Sequence, residues 1–283
     1  ELKQQSKNIR LGHVHIPSSS ANLQSVNIQI NSDSLRGENL KPKQHGERRI
    51  LFLGSSITLG WGVKEIETLT ERLTQMFEMT KTPVKVLNAG IGNYNTVRYV
   101  ELFLTQHTHL DPDIIVVQYF VNDVEVLKFA KGNWFLRNSQ FAVTLWTAYN
   151  RLFTRSGEEA LIDHYKSIYK PKTKGFQDMT AALGRLSNYA REKKIPIVLA
   201  MTPDIHNLTD YPFSFIHNAI SKLSRDLGFV YVDLLPAFVG RKAKGFWNML
   251  GDPHPNGIAH KLMAETLYPI LESIQVEGSE LRK

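Results

Sequence analysis

Short apolar runs alternate with stretches of helical periodicity from about residue 48 onward, and this alternation limits the fold more than any other feature. Several runs are apolar throughout, as strands buried on both faces of a parallel sheet are. The order predicts an α/β fold with a doubly wound, mainly parallel five-stranded sheet and helices on both faces. The predicted strands are residues 50–53, 84–87, 114–119, 195–201 and 230–233. Two helical stripes separate them: Ile66, Leu69, Leu73, Met76 and Phe77, then Phe176, Met179, Leu183, Leu186 and Tyr189.

The composition excludes several classes of protein. A chain of 283 residues with 42% hydrophobic content is long enough to bury a full core. No run approaches the roughly 18–20 apolar residues of a membrane helix, so we expect no integral membrane segment in this chain. The absence of cysteine excludes disulfides, thiolate catalysis and cysteine-ligated zinc. The sequence begins at Glu1 without methionine, which is consistent with removal of a signal peptide or anchor and with a periplasmic, secreted or membrane-anchored bacterial protein.

The formal charge of +7 favours contact with polyanions in general. The lysines and arginines are scattered, however, with only short groups such as residues 41–43 and 241–244. Because the aromatic–basic motifs of the usual nucleic-acid modules are missing, we expect no nucleic-acid partner. The oligomeric state is left open.

The chain divides into a main domain and three additions. Residues 1–46 are rich in polar side chains and contain one alternating stretch, 26–30, so they are predicted to form an extension packed on the main domain of residues 47–275. Residues 276–283 form a C-terminal tail. Residues 124–174 interrupt the alternation as an insertion after the third strand, where it can cap a site or pack a small core of its own. Its aromatic residues are Phe129, Trp134, Phe135, Phe141, Trp146, Tyr149, Phe153, Tyr165 and Tyr169.

The first predicted strand stops at Gly54 and is followed by Ser55 and Ser56, as when a buried strand presents a nucleophile at the top of a sheet. A serine after a strand is more commonly a turn residue or a helix cap. Successive side chains diverge at such a turn, so only one of the two serines can face a site. The residues alone do not choose between them.

A candidate base lies near the end of the chain. Asp252 precedes His254 by two residues in a proline-constrained loop, a spacing that lets the carboxylate orient the imidazole. Asp252 can equally cap a turn, with Asn256 starting the last helix, and these capping roles are compatible with catalysis. A metal site built from Asp252, His254 and His260 is weaker because it lacks a recognised ligand spacing. His13 and His15 are interpreted as incidental.

Acyl transfer also needs donors aimed at the developing oxyanion. Two loops offer them. Residues 88–94 follow the second predicted strand and can present backbone N–H groups, and Asn122–Asp123 follow the third and can present an amide. Each is also an ordinary loop signal.

Four blocks in order resemble those of the SGNH, or GDSL-type, hydrolases: residues 54–56, 90–93, 122–123 and 252–256. The run 31–37 is similar to a lead-in of bacterial members associated with surface polysaccharides. The resemblance covers about residues 26–270 and implies a flavodoxin-like SGNH fold with no metal or organic cofactor. Any one block is weak evidence, whereas four in order on a matching strand–helix pattern are strong.

Transferred to this chain, the resemblance makes Ser56 the nucleophile, His254 the general base and acid, and Asp252 its orienting carboxylate. The oxyanion hole would combine the Ser56 N–H, a backbone N–H of Gly92 or Asn93, and the Asn122 amide. The chain departs from the family in having Ser55 where an aspartate is usual, and in a displaced oxyanion glycine.

The expected function is serine-dependent ester hydrolysis, with short acyl groups, acetyl above all, on a carbohydrate, a polysaccharide or a small ester as substrate. Transfer of the acyl group to a polysaccharide hydroxyl and hydrolysis of lipid acyl esters use the same residues and remain alternatives. A catalytically silent carbohydrate-binding or assembly protein is the alternative of another class.

Overall fold

The structure is a computed structural model that describes residues 1–127, 157–249 and 252–280. Most aromatic residues of the predicted insertion, from Phe129 to Phe153, lie outside these ranges. The strands are β1 (Lys3–Gln5), β2 (His13–His15), β3 (Ser19–Leu23), β4 (Val26–Ile30), β5 (Arg48–Gly54), β6 (Val84–Gly90), β7 (Ile114–Tyr119), β8 (Ile197–Met201), β9 (Val230–Asp233), β10 (Trp247–Met249) and β11 (Asp252–Pro255). The α-helices are α1 (Ser56–Leu59), α2 (Leu69–Met79), α3 (Thr96–Leu102), α4 (Gly157–Ile168), α5 (Lys174–Lys193), α6 (Ser214–Leu227) and α7 (Gly257–Glu280).

A parallel sheet of five strands, in the order β6-β5-β7-β8-β9, organises the described residues and confirms the predicted fold class. The chain passes from β5 to β6 on one side and then returns to place β7 on the other side of β5. In open α/β sheets, ligands bind where the strand order reverses, outside the carboxyl ends of the strands. The segments that follow β5 and β7 therefore border the expected crevice.

Side chains of the sheet alternate between two buried layers, as the period of a strand requires. Leu51 and Leu53 of β5 face one layer, which α3, α5 and α6 cover. Ile50 and Phe52 face the other, which α2 and α7 cover. Because both faces are covered, the central strands are apolar on both sides, and this explains the uninterrupted runs in the sequence.

Part of residues 1–46 packs at the edge of the sheet that β6 forms. The hairpin β3–β4 buries Ile28 and Ile30, which pack against Leu59 at the end of α1. Further on, the Arg36 N–H donates to the Asn88 carbonyl at 3.0 Å, so this segment pairs with the edge strand β6.

The first two predicted strands are too short, since β5 covers Arg48–Gly54 and β6 extends to Gly90, and two further predictions are wrong for local reasons. The fourth strand begins at Ile197, because Ile195 donates its N–H to the Ala190 carbonyl at the end of α5 and Pro196 has no N–H for the sheet. Ile66 does not share the buried stripe of α2: the cap residue Thr68 starts that helix, and Ile66 lies 59% exposed in a preceding 3-10 turn. The other four positions of the first stripe lie on α2, and all five positions of the second stripe lie on α5.

Candidate active site

The junction between β5 and α1 brings Ser56 to the carboxyl end of the sheet. A Cβ atom on Gly54 would lie 2.0 Å from Thr58 Oγ1 and 3.0 Å from the Gln118 carbonyl oxygen, so this close approach requires glycine. Ser55 is buried, whereas Ser56 is half-buried and is the first residue of α1. A residue at that position has no intrahelical acceptor for its N–H.

Ser56, His254 and Asp252 form one hydrogen-bonded chain. Ser56 Oγ lies 2.9 Å from His254 Nε2, and His254 Nδ1 lies 2.5 Å from Asp252 Oδ1. A carboxylate only accepts hydrogen bonds, so Nδ1 carries the hydrogen and the lone pair of Nε2 faces the serine hydroxyl. The structure thus brings the three predicted residues together, and it selects Ser56 over Ser55 as the serine that faces the imidazole.

The hairpin of β10 and β11 holds His254 and Asp252 in this position. Asn256 begins α7 by accepting the N–H groups of Ile258 and Ala259 at 3.0 and 3.1 Å, while its amide donates to the Trp247 carbonyl. The expected capping roles therefore coexist with the arrangement at Ser56.

The end of β6 packs directly on α1. A Cβ atom on Gly90 would lie 2.2 Å from the Leu59 nitrogen, and the Ile91 N–H donates to the Gly54 carbonyl at 3.2 Å. A turn follows, closed by Tyr94 N–H donating to the Ile91 carbonyl at 3.3 Å. The structure thereby places Gly92 and Asn93 at the two central positions of a turn beside the β5–α1 junction.

The loop after β7 presents Asn122 to solvent and buries Asp123 completely. Asp123 Oδ2 accepts hydrogen bonds from the Tyr99 hydroxyl at 3.2 Å and the Phe120 N–H at 3.1 Å. Burial raises the pKa of Asp123 to about 8, because the charged form loses its hydration. Its backbone carbonyl also accepts the N–H of Thr96, which fixes the position of Asn122 relative to α3.

Arg36, from the run that resembles a family lead-in, secures the other end of α1. Its guanidinium donates to the carbonyls of Leu59 at 2.5 Å, Gly60 at 2.8 Å and Val63 at 2.7 Å. Carbonyls at the end of a helix lack intrahelical partners and carry partial negative charge, so a buried cation satisfies them. No sequence signal predicts this role for Arg36.

His260 and His13 have partners outside the Ser56–His254–Asp252 chain. His260 is fully buried and its Nδ1 accepts the Leu69 N–H at 2.9 Å, at the start of α2; burial lowers the pKa of His260 to about 3. In the described parts of the chain, no group of three or more His, Cys, Asp or Glu side chains is arranged to hold a metal ion. His13 Nε2 lies 3.0 Å from the Gly92 carbonyl oxygen, which also accepts from Lys3 Nζ at 2.7 Å.

Aromatic rings border the site on one side. The half-buried Trp61 lies with its ring centroid 6.5 Å from that of His254. Trp247, on the strand paired with β11, donates its Nε1–H to the Ile205 carbonyl at 2.8 Å. Of the insertion's aromatic residues, the two that are described, Tyr165 and Tyr169, are buried in the main core rather than exposed to a cleft.

No helix in the described ranges is both long enough and apolar enough to cross a bilayer. In a comparison with curated proteins, none matches the chain.

The family model described as GDSL-like Lipase/Acylhydrolase family matches residues 52–262. Among solved structures, the chain is similar to that of TesA, with 14% identity, a TM-score of 0.53, and coverage of 80% of this chain and 99% of the other. It is also similar to Axe2, an acetylxylan esterase from Geobacillus stearothermophilus, with 15% identity, a TM-score of 0.52, and coverage of 81% and 95%. A two-domain esterase active on acetylated mannans gives 17% identity, a TM-score of 0.51, and coverage of 82% of this chain but only 51% of its own length.

Proposed function

The chain belongs to the GDSL-like lipase/acylhydrolase family and is a carboxylic ester hydrolase, and from this premise we propose that it removes short acyl groups from carbohydrates with Ser56 as nucleophile. The observation that carries the proposal is the hydrogen-bonded chain from Ser56 Oγ through the His254 imidazole to Asp252.

In the proposed mechanism, Ser56 Oγ attacks the ester carbonyl while His254 Nε2 accepts its proton. The imidazolium that forms is stabilised by Asp252, which stays ionised. His254 then donates this proton to the leaving alcohol as the carbon–oxygen bond breaks, leaving an acyl group on Ser56. A water molecule, deprotonated by His254, then attacks this acyl group, and His254 returns the proton to Ser56 Oγ as the acyl carbon–oxygen bond breaks and the free acid leaves.

Three donors are proposed for the oxyanion. The Ser56 N–H is at the start of α1, where no intrahelical acceptor exists. The Asn93 N–H belongs to the turn beside the β5–α1 junction, and we favour it over the Gly92 N–H because the Asn93 backbone adopts a positive φ of 65° that sets the direction of the peptide before it. The exposed amide of Asn122, from the loop after β7, is the third donor.

Acetylated sugars are the first substrate class to test. The half-exposed ring of Trp61 beside His254 supports a sugar substrate, because an aromatic face packs well against the apolar face of a pyranose. The names of two structural neighbours, an acetylxylan esterase and an esterase active on acetylated mannans, point to the same class.

The proposal is tested by measuring acetate release from acetylated xylo-oligosaccharides together with hydrolysis of p-nitrophenyl acetate and p-nitrophenyl palmitate. We expect the wild type to hydrolyse the acetyl esters and to be labelled by a fluorophosphonate probe. Ser56→Ala should not be labelled, and its kcat on the acetyl esters should be lower by a factor of about 10⁶. Ser55→Ala is the matched control and should remain labelled.

Three outcomes would contradict parts of the proposal. Preference for the palmitate ester would show that the substrate is a lipid acyl ester and not an acetylated sugar. Labelling of Ser56 without release of acetate, but with transfer to an added oligosaccharide, would make the protein an acyltransferase. Absence of both labelling and turnover in the wild type would contradict the serine mechanism itself.

A further inference from the structure

The carbonyl group of Gly92 is held by two side chains from the N-terminal extension. Lys3 Nζ donates to it at 2.7 Å and His13 Nε2 at 3.0 Å. Lys3 and His13 lie on the paired strands β1 and β2, where Lys3 is opposite His15 and Gln5 is opposite His13. Positions two residues apart across an antiparallel pair share one face of the ribbon, so both side chains reach the same acceptor.

A third contact ties the extension to the same turn. The Tyr94 hydroxyl donates to the His13 carbonyl, and the Tyr94 and His13 rings meet edge to face with centroids 5.1 Å apart. A Cβ atom on Gly92 would lie 3.1 Å from Lys3 Nζ, so the lysine packs closely over this peptide. These contacts are separated by 81, 79 and 89 residues in the sequence.

The peptide between Gly92 and Asn93 is the central peptide of the turn from Ile91 to Tyr94. Asn93, at the third position, has a φ of 65°, as in a type II turn. Type I and type II turns differ mainly in the orientation of this central peptide, and type I is the commoner one for residues other than glycine. Donors on the Gly92 carbonyl therefore stabilise the type II orientation of this peptide over the type I orientation.

The orientation matters because the carbonyl and the N–H of one trans peptide point in opposite directions. When the Gly92 carbonyl points to Lys3 and His13, the Asn93 N–H points away from the extension. Donors on the carbonyl also polarise the peptide and strengthen its N–H as a donor.

Lys3 is half-buried, and its surroundings disfavour a charged ammonium. Its ammonium lies near the Arg98 guanidinium, and no carboxylate in the described parts of the chain forms an ion pair with it; burial, with Arg98 adding to it, lowers the pKa of Lys3 to about 8. Burial lowers the pKa of His13 to about 4, so at neutral pH its imidazole is uncharged. Because a carbonyl only accepts, the single hydrogen of that ring lies on Nε2.

We propose that Lys3 and His13 are positioning residues of the ester hydrolase, which hold the Gly92–Asn93 peptide so that the Asn93 N–H faces the oxyanion formed at Ser56. This inference rests on the proposed function. It assigns the N-terminal extension a part in catalysis, exerted entirely through one backbone carbonyl.

The test compares Lys3→Met and His13→Phe with Lys3→Arg, which retains a charged donor, and with Lys7→Met, which removes an exposed lysine of the same extension. All are assayed on p-nitrophenyl acetate and with an alkyl fluorophosphonate, whose adduct on serine is tetrahedral. Loss of a whole oxyanion donor costs about 10²–10³ in kcat, so we expect loss of one brace on that donor to cost roughly 10-fold. KM should stay unchanged, and the rate of phosphonylation should fall by the same factor as kcat.

Lys3→Arg should regain most of the lost rate, and Lys7→Met should match the wild type. Unchanged kcat in folded Lys3→Met and His13→Phe would overturn the inference while leaving the proposed function in place. The inference would also be overturned if kcat and the thermal midpoint fell, KM rose, and Lys3→Arg did not restore them. That result would show a general structural role. Failure of the wild type to react with the fluorophosphonate would instead remove the proposed function, and this inference with it.

Discussion

Asp252 and His254 are joined twice through one oxygen atom. Asp252 Oδ1 accepts from His254 Nδ1 at 2.5 Å and from the His254 backbone N–H at 3.1 Å. The backbone contact fixes where the carboxylate lies relative to the main chain, and the side-chain contact then fixes the rotation of the ring. A spacing of two residues on one strand is sufficient for both.

Asp252→Asn is expected to lower kcat by about 10⁴-fold with little change in stability, because a neutral amide neither selects the tautomer with hydrogen on Nδ1 nor stabilises an imidazolium. The measurement is kcat on p-nitrophenyl acetate alongside the thermal midpoint. Asp178→Asn, at an exposed position on α5, is the control. A loss below about 10-fold would show that Asp252 contributes only to turn geometry.

Arg36→Met is expected to lower the free energy of unfolding by roughly 3 kcal/mol, because the carbonyls of Leu59 and Gly60 at the end of α1, and that of Val63 beyond it, lose a charged donor. Urea unfolding measures this loss. Arg225→Met removes an exposed arginine and should change stability by less than about 0.5 kcal/mol. Equal midpoints for the two variants would mean that water replaces the guanidinium at no cost.

Trp61→Ala is expected to raise KM for an acetylated oligosaccharide about 10-fold, equivalent to ~1.4 kcal/mol, while leaving KM for p-nitrophenyl acetate nearly unchanged. The reason is that only the larger substrate would extend over the ring beside His254. Trp61→Phe keeps an aromatic face, so its KM for the oligosaccharide should lie between those of the wild type and Trp61→Ala. If both substrates are affected equally, Trp61 supports the His254 ring and does not bind sugar.

Asp123→Asn is expected to flatten the dependence of stability on pH. The pKa of Asp123 in the folded protein is raised to about 8, above its unfolded value near 4. The folded state thus retains a proton that the unfolded state releases, so the contribution of Asp123 to stability is full below about pH 4 and is lost as the pH rises through about 8.

An uncharged asparagine carries no such dependence, and the thermal midpoint of Asp123→Asn should therefore fall less than that of the wild type between pH 5 and 9. Parallel curves for the two proteins would show that Asp123 is ionised in the fold.

The fold could be predicted from the sequence because its signals are local. Each central strand is buried on both faces and is therefore an apolar run, and the helical stripes follow from periodicity. The boundary at Ile195 failed because a helix-terminating contact and a proline, rather than hydrophobicity, decide where β8 begins. Similarly, the cap formed by Thr68 excludes Ile66 from α2.

At the site, too, residues with a local sequence signal could be predicted, and residues defined by distant contacts could not. Asp252 and His254 lie two residues apart, which is a recognisable spacing, and Ser56 follows a strand that ends in glycine. Lys3 and Arg36 bind backbone carbonyls, and a carbonyl acceptor is present at every residue, so it leaves no trace in the sequence at the acceptor's position. Such contacts become visible only when the three-dimensional arrangement is known.

The sequence separation of 198 positions from Ser56 to His254 has a consequence for the growing chain. Ser56, the proposed nucleophile, is synthesised well before His254, which enters the chain only after all five strands of the parallel sheet. A ribosome-bound chain stopped before the β10–β11 hairpin has every part of the sheet and no base for the serine. Reactivity toward a fluorophosphonate would therefore appear only after the β10–β11 hairpin has docked beside Ser56, and it would report on that late step of folding.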